Sequence, residues 1–283
     1  MQALRDATTE LRVTTSGIDH PEGIAWYDGY VWCGTESGSL IRIDPSDGQT
    51  EVVAETGGFL GGLAFDGNGA CYICDSHGRV IRVDPTGAVE TFADSVAGQP
   101  LRTPNYPAFT SDGTLWFSDS GSGWETDNGF LVRIPPGRDP EIATDEPRLF
   151  PNGIAITADE SALYLVESRR PGIITVELSS GTVRPLSKAL RMPGAVPDGL
   201  AFDRDGTLYI SCWRPDRVYR WRPEGEELEL FIDDPTAEYL NSPTNLCFGG
   251  SDLTRIYFAS LGGWTITELD TDTPGQPLQH PTF

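Results

Sequence analysis

Glu22, Asn105, Asn152 and Asp198 are oxygen-bearing side chains that head the same short phrase at four places along the 283-residue chain. The phrase occurs six times, at spacings of 39, 44, 47, 46 and 46 residues, with Gly61 and Thr244 in the two remaining head positions. After each head residue comes an apolar strand start: Gly-Ile-Ala-Trp26, Gly-Leu-Ala-Phe65, Tyr-Pro-Ala-Phe109, Gly-Ile-Ala-Ile156, Gly-Leu-Ala-Phe202 and Asn-Leu-Cys-Phe248. A repeat of this period marks a stacked or radial array. In a radial array the head positions converge on one axis. Two carboxylates and two amide oxygens gathered there, with neither Cys nor His, make the donor set of a hard divalent cation. Calcium is the first expectation, with magnesium, manganese or zinc behind it. Without a cation the two carboxylates would repel and raise each other's pKa.

Pro21, Pro104, Pro151, Pro197 and Pro243 stand directly before five of the six head residues. Proline fixes φ and removes a backbone donor, so the next side chain is presented from a stiffened strand. The Gly at one head position leaves the ring open on that side.

The elements that must carry the ring are strands. Each opening phrase leads to a turn such as Asp66-Gly67, Asp112-Gly113 or Asp205-Gly206. A second strand follows with an aromatic at Trp32, Tyr72, Trp116, Tyr164, Tyr209 or Tyr257, then a third such as Leu40–Asp44 or Val80–Asp84, and a fourth such as Glu51–Ala54. The turns have hairpin chemistry. Helical periodicity is nearly absent. Four antiparallel strands repeated six times predict an all-β, six-bladed β-propeller, one domain over 1–283 with blades at about 18–56, 57–99, 100–147, 148–194, 195–235 and 236–270. The last unit supplies three strands, and an orphan strand at 9–15 is expected to complete it and join the two ends.

Bulk properties narrow the partners. A formal charge of −22 opposes binding to nucleic acid or anionic membranes. All but Lys188 of the 20 basic residues are arginine, consistent with a salt-adapted or GC-rich source. The first residues lack the apolar run of a signal peptide and no stretch of 18 apolar residues occurs, so a cytoplasmic location is expected. The five cysteines are scattered. Cys71 and Cys74 have metal-site spacing, but residues three apart on a strand face opposite ways, so both are expected to be buried structural thiols.

The phrases His20-Pro-Glu-Gly-Ile-Ala-Trp26, Pro151-Asn-Gly-Ile-Ala155, Pro197-Asp-Gly-Leu-Ala-Phe202 and Thr244-Asn-Leu-Cys-Phe-Gly-Gly250 resemble the gluconolactonase and regucalcin (senescence marker protein) family over nearly the whole chain. The resemblance implies a metal-dependent lactonase acting on a small-molecule lactone, a sugar (aldono-) lactone foremost. It implies a divalent ion held by Glu22, Asn152 and Asp198, with Asn105 reaching the metal's water or the substrate and Arg102 binding substrate oxygens. From its matching role in that family, Asp198 is the expected general base. The chain departs from the family at Tyr106, where Asp is frequent, and in the Arg102-Thr-Pro-Asn105 spacing, which leaves the particular lactone open.

Further substrate-side candidates are His20, Tyr106 and Trp124, the last in a long connection, Ser118–Asp127, that could fold over the site. Asp119, Glu167 and Cys212 follow the second strands at equivalent places and are expected to line the channel deeper down. Two alternatives remain: a phosphotriesterase of the diisopropyl fluorophosphatase type, and a non-catalytic calcium-binding propeller scaffold. A strictosidine-synthase-like role needs a different acidic residue and no metal ring. The sequence carries no mark of oligomeric state.

Overall fold

A computed structural model describes residues 10–179, 182–225 and 227–283. Six four-stranded antiparallel sheets follow one another as the blades of a propeller. Blade 1 runs from its inner strand Pro21–Tyr27 through Tyr30–Thr35 and Ser39–Ile43 to the outer Thr50–Glu55. The inner strands of blades 2 to 6 are Leu60–Phe65, Pro104–Phe109, Pro151–Ile156, Val196–Phe202 and Pro243–Gly249. A hairpin of Ser95–Val96 and Gln99–Pro100 lies between blades 2 and 3.

The sixth sheet contains both ends of the chain. Arg12–Ser16 pairs with Thr265–Asp270 as its outer strand; position 9 of the expected strand lies outside the described residues. The Arg12 guanidinium reaches Glu268 at 3.2 Å and Asp270 at 2.8 Å, and Thr14 donates to Glu268 at 3.0 Å. This clasp gives the sheet its fourth strand and ties the two ends of the chain together where the ring closes. Deleting residues 1–16 should therefore lower the melting temperature by about 10 °C or more, since each kcal/mol shifts a domain of this size by a few degrees. An unchanged thermal scan would show that the clasp does not hold the ring.

The repeated aromatics explain why the blades stack. Tyr72 meets Phe109 edge-on at 5.1 Å, Tyr164 meets Phe202 at 5.3 Å, and Tyr209 meets Phe248 at 5.2 Å. Trp32 packs on Phe65, and Tyr257 stacks on Trp26. In each pair the second-strand ring of one blade covers the inner-strand ring of the next. The buried apolar residues accordingly form clusters at the blade-to-blade junctions instead of one central core. Cys71 and Cys74 fall in different clusters, one on each face of blade 2, as their strand spacing requires. Both are free and buried.

Residues 271–283 were not foreseen as an element, and they cross the end of the propeller opposite the head residues. The Gly275 amide donates to the Leu253 carbonyl and Gln276 N to Phe202 O, while Gln276 Nε2 reaches Ile156 O. Further on, Gly67 N donates to Pro281 O, the His280 ring contacts Phe65 O at 2.9 Å, and the Phe283 ring lies 6.0 Å from that of Phe109. These contacts tie blades 2, 3, 4, 5 and 6 together at that end. Above them the axis holds a small apolar cavity of about 90 Å³, lined in part by Ile24, Leu63, Tyr106, Ile154, Leu200 and Leu246 and floored by Gln276 and His280.

Candidate metal and active site

Every inner strand breaks its ladder at the same point. Pairing skips from Pro21 to Ile24, Leu60 to Leu63, Pro104 to Pro107, Pro151 to Ile154, Pro197 to Leu200 and Pro243 to Leu246. Two residues in each blade are thus left out of register, the head residue and its successor. Bulges of this kind re-aim side chains, and here they occur around one axis. The successor is Gly in blades 1, 2, 4 and 5. At Gly23 an added Cβ would collide with the Gly61 carbonyl, and at Gly153 with that of Asp198. Only glycine allows the strands to approach so closely.

Glu22, Asn152 and Asp198 are all buried, at 7%, 5% and 7% exposure. Ser168 fixes the orientation of Asn152. Its hydroxyl donates to the Pro197 carbonyl at 2.8 Å and accepts from Asn152 Nδ2 at 3.3 Å, so Asn152 Oδ1 points away without a partner. Similar serine bridges hold the neighbouring bulges. Ser118 accepts from the Tyr106 amide and donates to the Asn152 carbonyl at 2.6 Å; Ser211 accepts from the Gly199 amide and donates to the Thr244 carbonyl.

Among the described residues, six buried side-chain polar atoms lack a hydrogen-bond partner, and four of them are Asn105 Oδ1, Asn152 Oδ1, Asp198 Oδ1 and Asn245 Oδ1. Buried polar groups are rarely left so. All four belong to the bulges, which concentrates unmet acceptor capacity where the sequence placed the cation. Burial raises the Glu22 carboxyl to about 7, partly offset by Thr244. Burial, and then the charge of Glu22, raises Asp198 well above its ordinary value, partly offset by the Asn152 amide. Two carboxyls and several amide oxygens that want a positive partner fit a divalent cation with oxygen ligands. Among the described residues no three His, Cys, Asp or Glu side chains cluster as a metal site; the ring reaches its donor number through amides.

The other candidates lie in the bulges or beside the segments that lead into them. Arg102, half-buried in the rim of blade 3, donates Nη1 to the Asn128 carbonyl at 2.9 Å and lies over the Phe130 ring at 5.3 Å. No carboxylate pairs with it within ion-pair distance among the described residues. Trp124 is 42% exposed and packs against Phe150, which directly precedes Pro151 and Asn152. Its loop is pinned at the base, with Arg169 reaching Thr126 O at 3.0 Å and Asp127 at 2.5 Å. His20 is held by Asp19 at 2.7 Å and Glu36 at 3.2 Å, edge-on to Trp264. Tyr106 turns its ring into the space left by Gly62 and lines the apolar cavity. Burial raises its hydroxyl pKa.

Asp119, Glu167 and Cys212 do not line the channel as expected. Asp119 accepts from the amides of Arg102, Thr103 and Gly121, and so shapes the loop leading into the third bulge. Glu167 accepts from Leu149 N and pairs with Arg170 at 3.1 Å. Cys212 packs in the core between blades 4 and 5. Opposite the prolines in the ladder, these positions serve the approach to each bulge.

Asn245 was missed. Its Nδ2 lies 3.2 Å from Glu22 O and 3.5 Å from Glu22 Oε1. The signal was present in the sequence: at the successor position, where four blades have Gly, blade 6 has Asn.

A six-bladed propeller with an axial ring of unsatisfied oxygen donors belongs to a recognisable class of proteins, and the comparison with known sequences places it further. Residues 20–262 match the SMP-30/gluconolactonase/LRE-like region, and the chain is a member of that family. It is 27% identical to a gluconolactonase of Zymomonas mobilis, spanning 92% of this chain and 82% of that one. It is 26% identical to a pentonolactonase of Haloferax volcanii, over 93% of this chain and 86% of that one. The solved structure of a gluconolactonase from Xanthomonas campestris superposes with a TM-score of 0.81 at 23% identity, covering 93% of this chain and 89% of the other.

Proposed function

We propose that this protein is a divalent-cation-dependent hydrolase that opens the ring of a lactone, most readily a sugar lactone. The observation that carries the reading is the set of buried, unpartnered oxygens on Asn105, Asn152 and Asp198 beside the Glu22 carboxyl. The lactonase names of the relatives from Zymomonas mobilis and Haloferax volcanii support the reaction class.

Glu22, Asn152 and Asp198 would hold the cation, with Asn105 turned to its water or to the substrate. A bound divalent cation supplies Lewis-acid polarisation of the lactone carbonyl and charge stabilisation as water adds. Asp198, whose Oδ1 has no protein donor, takes the proton from the attacking water. An ionised carboxylate with an oxygen that no protein group engages can accept that proton directly. The ring oxygen then leaves and takes up a proton, and the product is a hydroxy acid.

Arg102 has a planar cation whose remaining N–H groups can bind substrate hydroxyl or carboxylate oxygens. Arg102→Ala should raise KM by about tenfold or more with little change in kcat, as expected for a charged hydrogen bond made equally in ground and transition states. A fall in kcat at unchanged KM would place Arg102 in the chemical step instead.

The test of the reaction class is proton release at fixed pH from five- and six-membered sugar lactones, with a fluorophosphate as comparator. The protein would be chelated first and then supplied with Ca²⁺, Mg²⁺, Mn²⁺ or Zn²⁺ in turn. Cation-dependent lactone opening is the expected result. Faster turnover of the fluorophosphate would make the protein a phosphotriesterase, and cation binding without any turnover would make it a scaffold.

A further inference from the structure

We infer that Asn245 is a positioning residue of the cation site, its side-chain amide orienting the Glu22 carboxylate from between the two acidic blades; the inference rests on the cation reading above. Asn245 lies in blade 6, which stands between blade 5 with Asp198 and blade 1 with Glu22. It is 1% exposed. As the second residue of the bulge it has no cross-strand partner, so its side chain is free to turn toward the neighbouring blades. Gly199 of blade 5 leaves the room: an added Cβ there would strike the Asn245 side chain and backbone.

Chemistry fixes which way the amide faces. Glu22 presents two acceptors to Asn245, its carbonyl at 3.2 Å and its carboxyl Oε1 at 3.5 Å. An amide oxygen set against them would be repelled, so the NH₂ group must face Glu22. Oδ1 is thereby turned back to the Gly199 side, where it has no partner. Thr244 already donates to the Glu22 carbonyl at 3.1 Å. The backbone of Glu22 is therefore held without Asn245, and what Asn245 adds is an amide donor within reach of the carboxyl beside the Thr244 hydroxyl. The same bulge position holds Tyr106 on the opposite side of the ring, where it fills apolar space over Gly62. Shape alone would have been served by a side chain of that kind; an amide serves an acid.

Groups that orient metal ligands commonly change affinity by 10- to 100-fold when removed. The test is calorimetric titration of chelated protein with Ca²⁺ and, separately, Mn²⁺, on wild type, Asn245→Ala and Asn245→Ser, with thermal scans of each in chelator. The expected result is a Kd weakened about tenfold or more in Asn245→Ala and by less in Asn245→Ser, whose hydroxyl retains a donor, with metal-free melting temperatures close to wild type. Wild-type Kd in folded Asn245→Ala would overturn the inference, as would a lowered metal-free melting temperature with unmoved Kd, the pattern of a purely structural amide. Should Asn245→Ala not fold, Asn245→Ser carries the comparison. Failure of wild type itself to bind either ion would overturn the cation reading, and this inference with it.

Discussion

Asp198→Ala is expected to lower kcat for lactone opening by about a thousandfold or more at saturating cation, while the protein keeps its fold. Two losses combine. The variant lacks the group assigned to take the proton from water, and it lacks one of the two carboxylates in the ring. Saturating the site with cation removes the second loss from the measurement, so what remains reports the chemical step. Asp198→Asn separates the roles further. It keeps an oxygen at the same place and cannot accept the proton, so it should bind cation more tightly than Asp198→Ala and still fail to turn over. The fold should tolerate both changes, because Asp198 is buried with a carboxyl oxygen that no protein donor meets. Removing such a charge relieves a desolvation cost. Retained turnover in either variant would remove Asp198 as the base.

The metal-free protein is expected to lose stability as pH rises toward neutrality, and a divalent cation should restore it. The sign follows from the two carboxyls. Burial raises Glu22 from 4.5 to about 7, and Asp198 moves in the same direction. Below their ordinary values both groups are protonated whether the chain is folded or not. As pH rises, the unfolded chain ionises first while the folded chain still holds its protons, so folding becomes less favourable until the folded groups ionise as well. For Glu22 the loss is on the order of 3 kcal/mol, spread between its ordinary range and about pH 7. A cation takes the place of those protons, so its binding should release protons near pH 6 and tighten with pH. Thermal scans at pH 5, 6, 7 and 8, in chelator and in Ca²⁺, provide the check. Calcium should raise the melting temperature more at pH 8 than at pH 6, and the metal-free decline should be smaller in Glu22→Gln. A metal-free curve unaffected by Glu22→Gln would show that this carboxyl is not the source.

The blades were legible because each unit writes the same pattern. An aromatic on the second strand and another at the end of the inner strand recur because each blade must cover the next. The bulges were only half legible. The repeat showed that Glu22, Asn105, Asn152 and Asp198 share a position, but not that the ladder skips two residues there. A strand read by strict alternation presents one side chain of each adjacent pair to the axis. The skip presents both, and so Asn245 escaped notice although it breaks a run of glycines. Asp119 and Glu167 were misplaced for a related reason: equivalent positions on second strands suggested a lining, whereas their carboxylates are taken up by the backbone amides of the loops before the bulges. The segment after Asp270 has no periodicity to read. Its place is set by backbone hydrogen bonds to Leu253, Phe202 and Gly67, which no side-chain pattern announces.

The ring formed by Glu22, Asn105, Asn152 and Asp198 is proposed to hold the catalytic cation. This is tested most directly by anomalous diffraction from crystals equilibrated with Mn²⁺ after chelation. One strong peak is expected on the propeller axis, within about 2.6 Å of oxygens of Glu22, Asn152 and Asp198, and it should disappear when lactone hydrolysis is abolished by chelation. A peak elsewhere, or an empty axis in crystals of protein that still opens lactones in excess chelator, would contradict it.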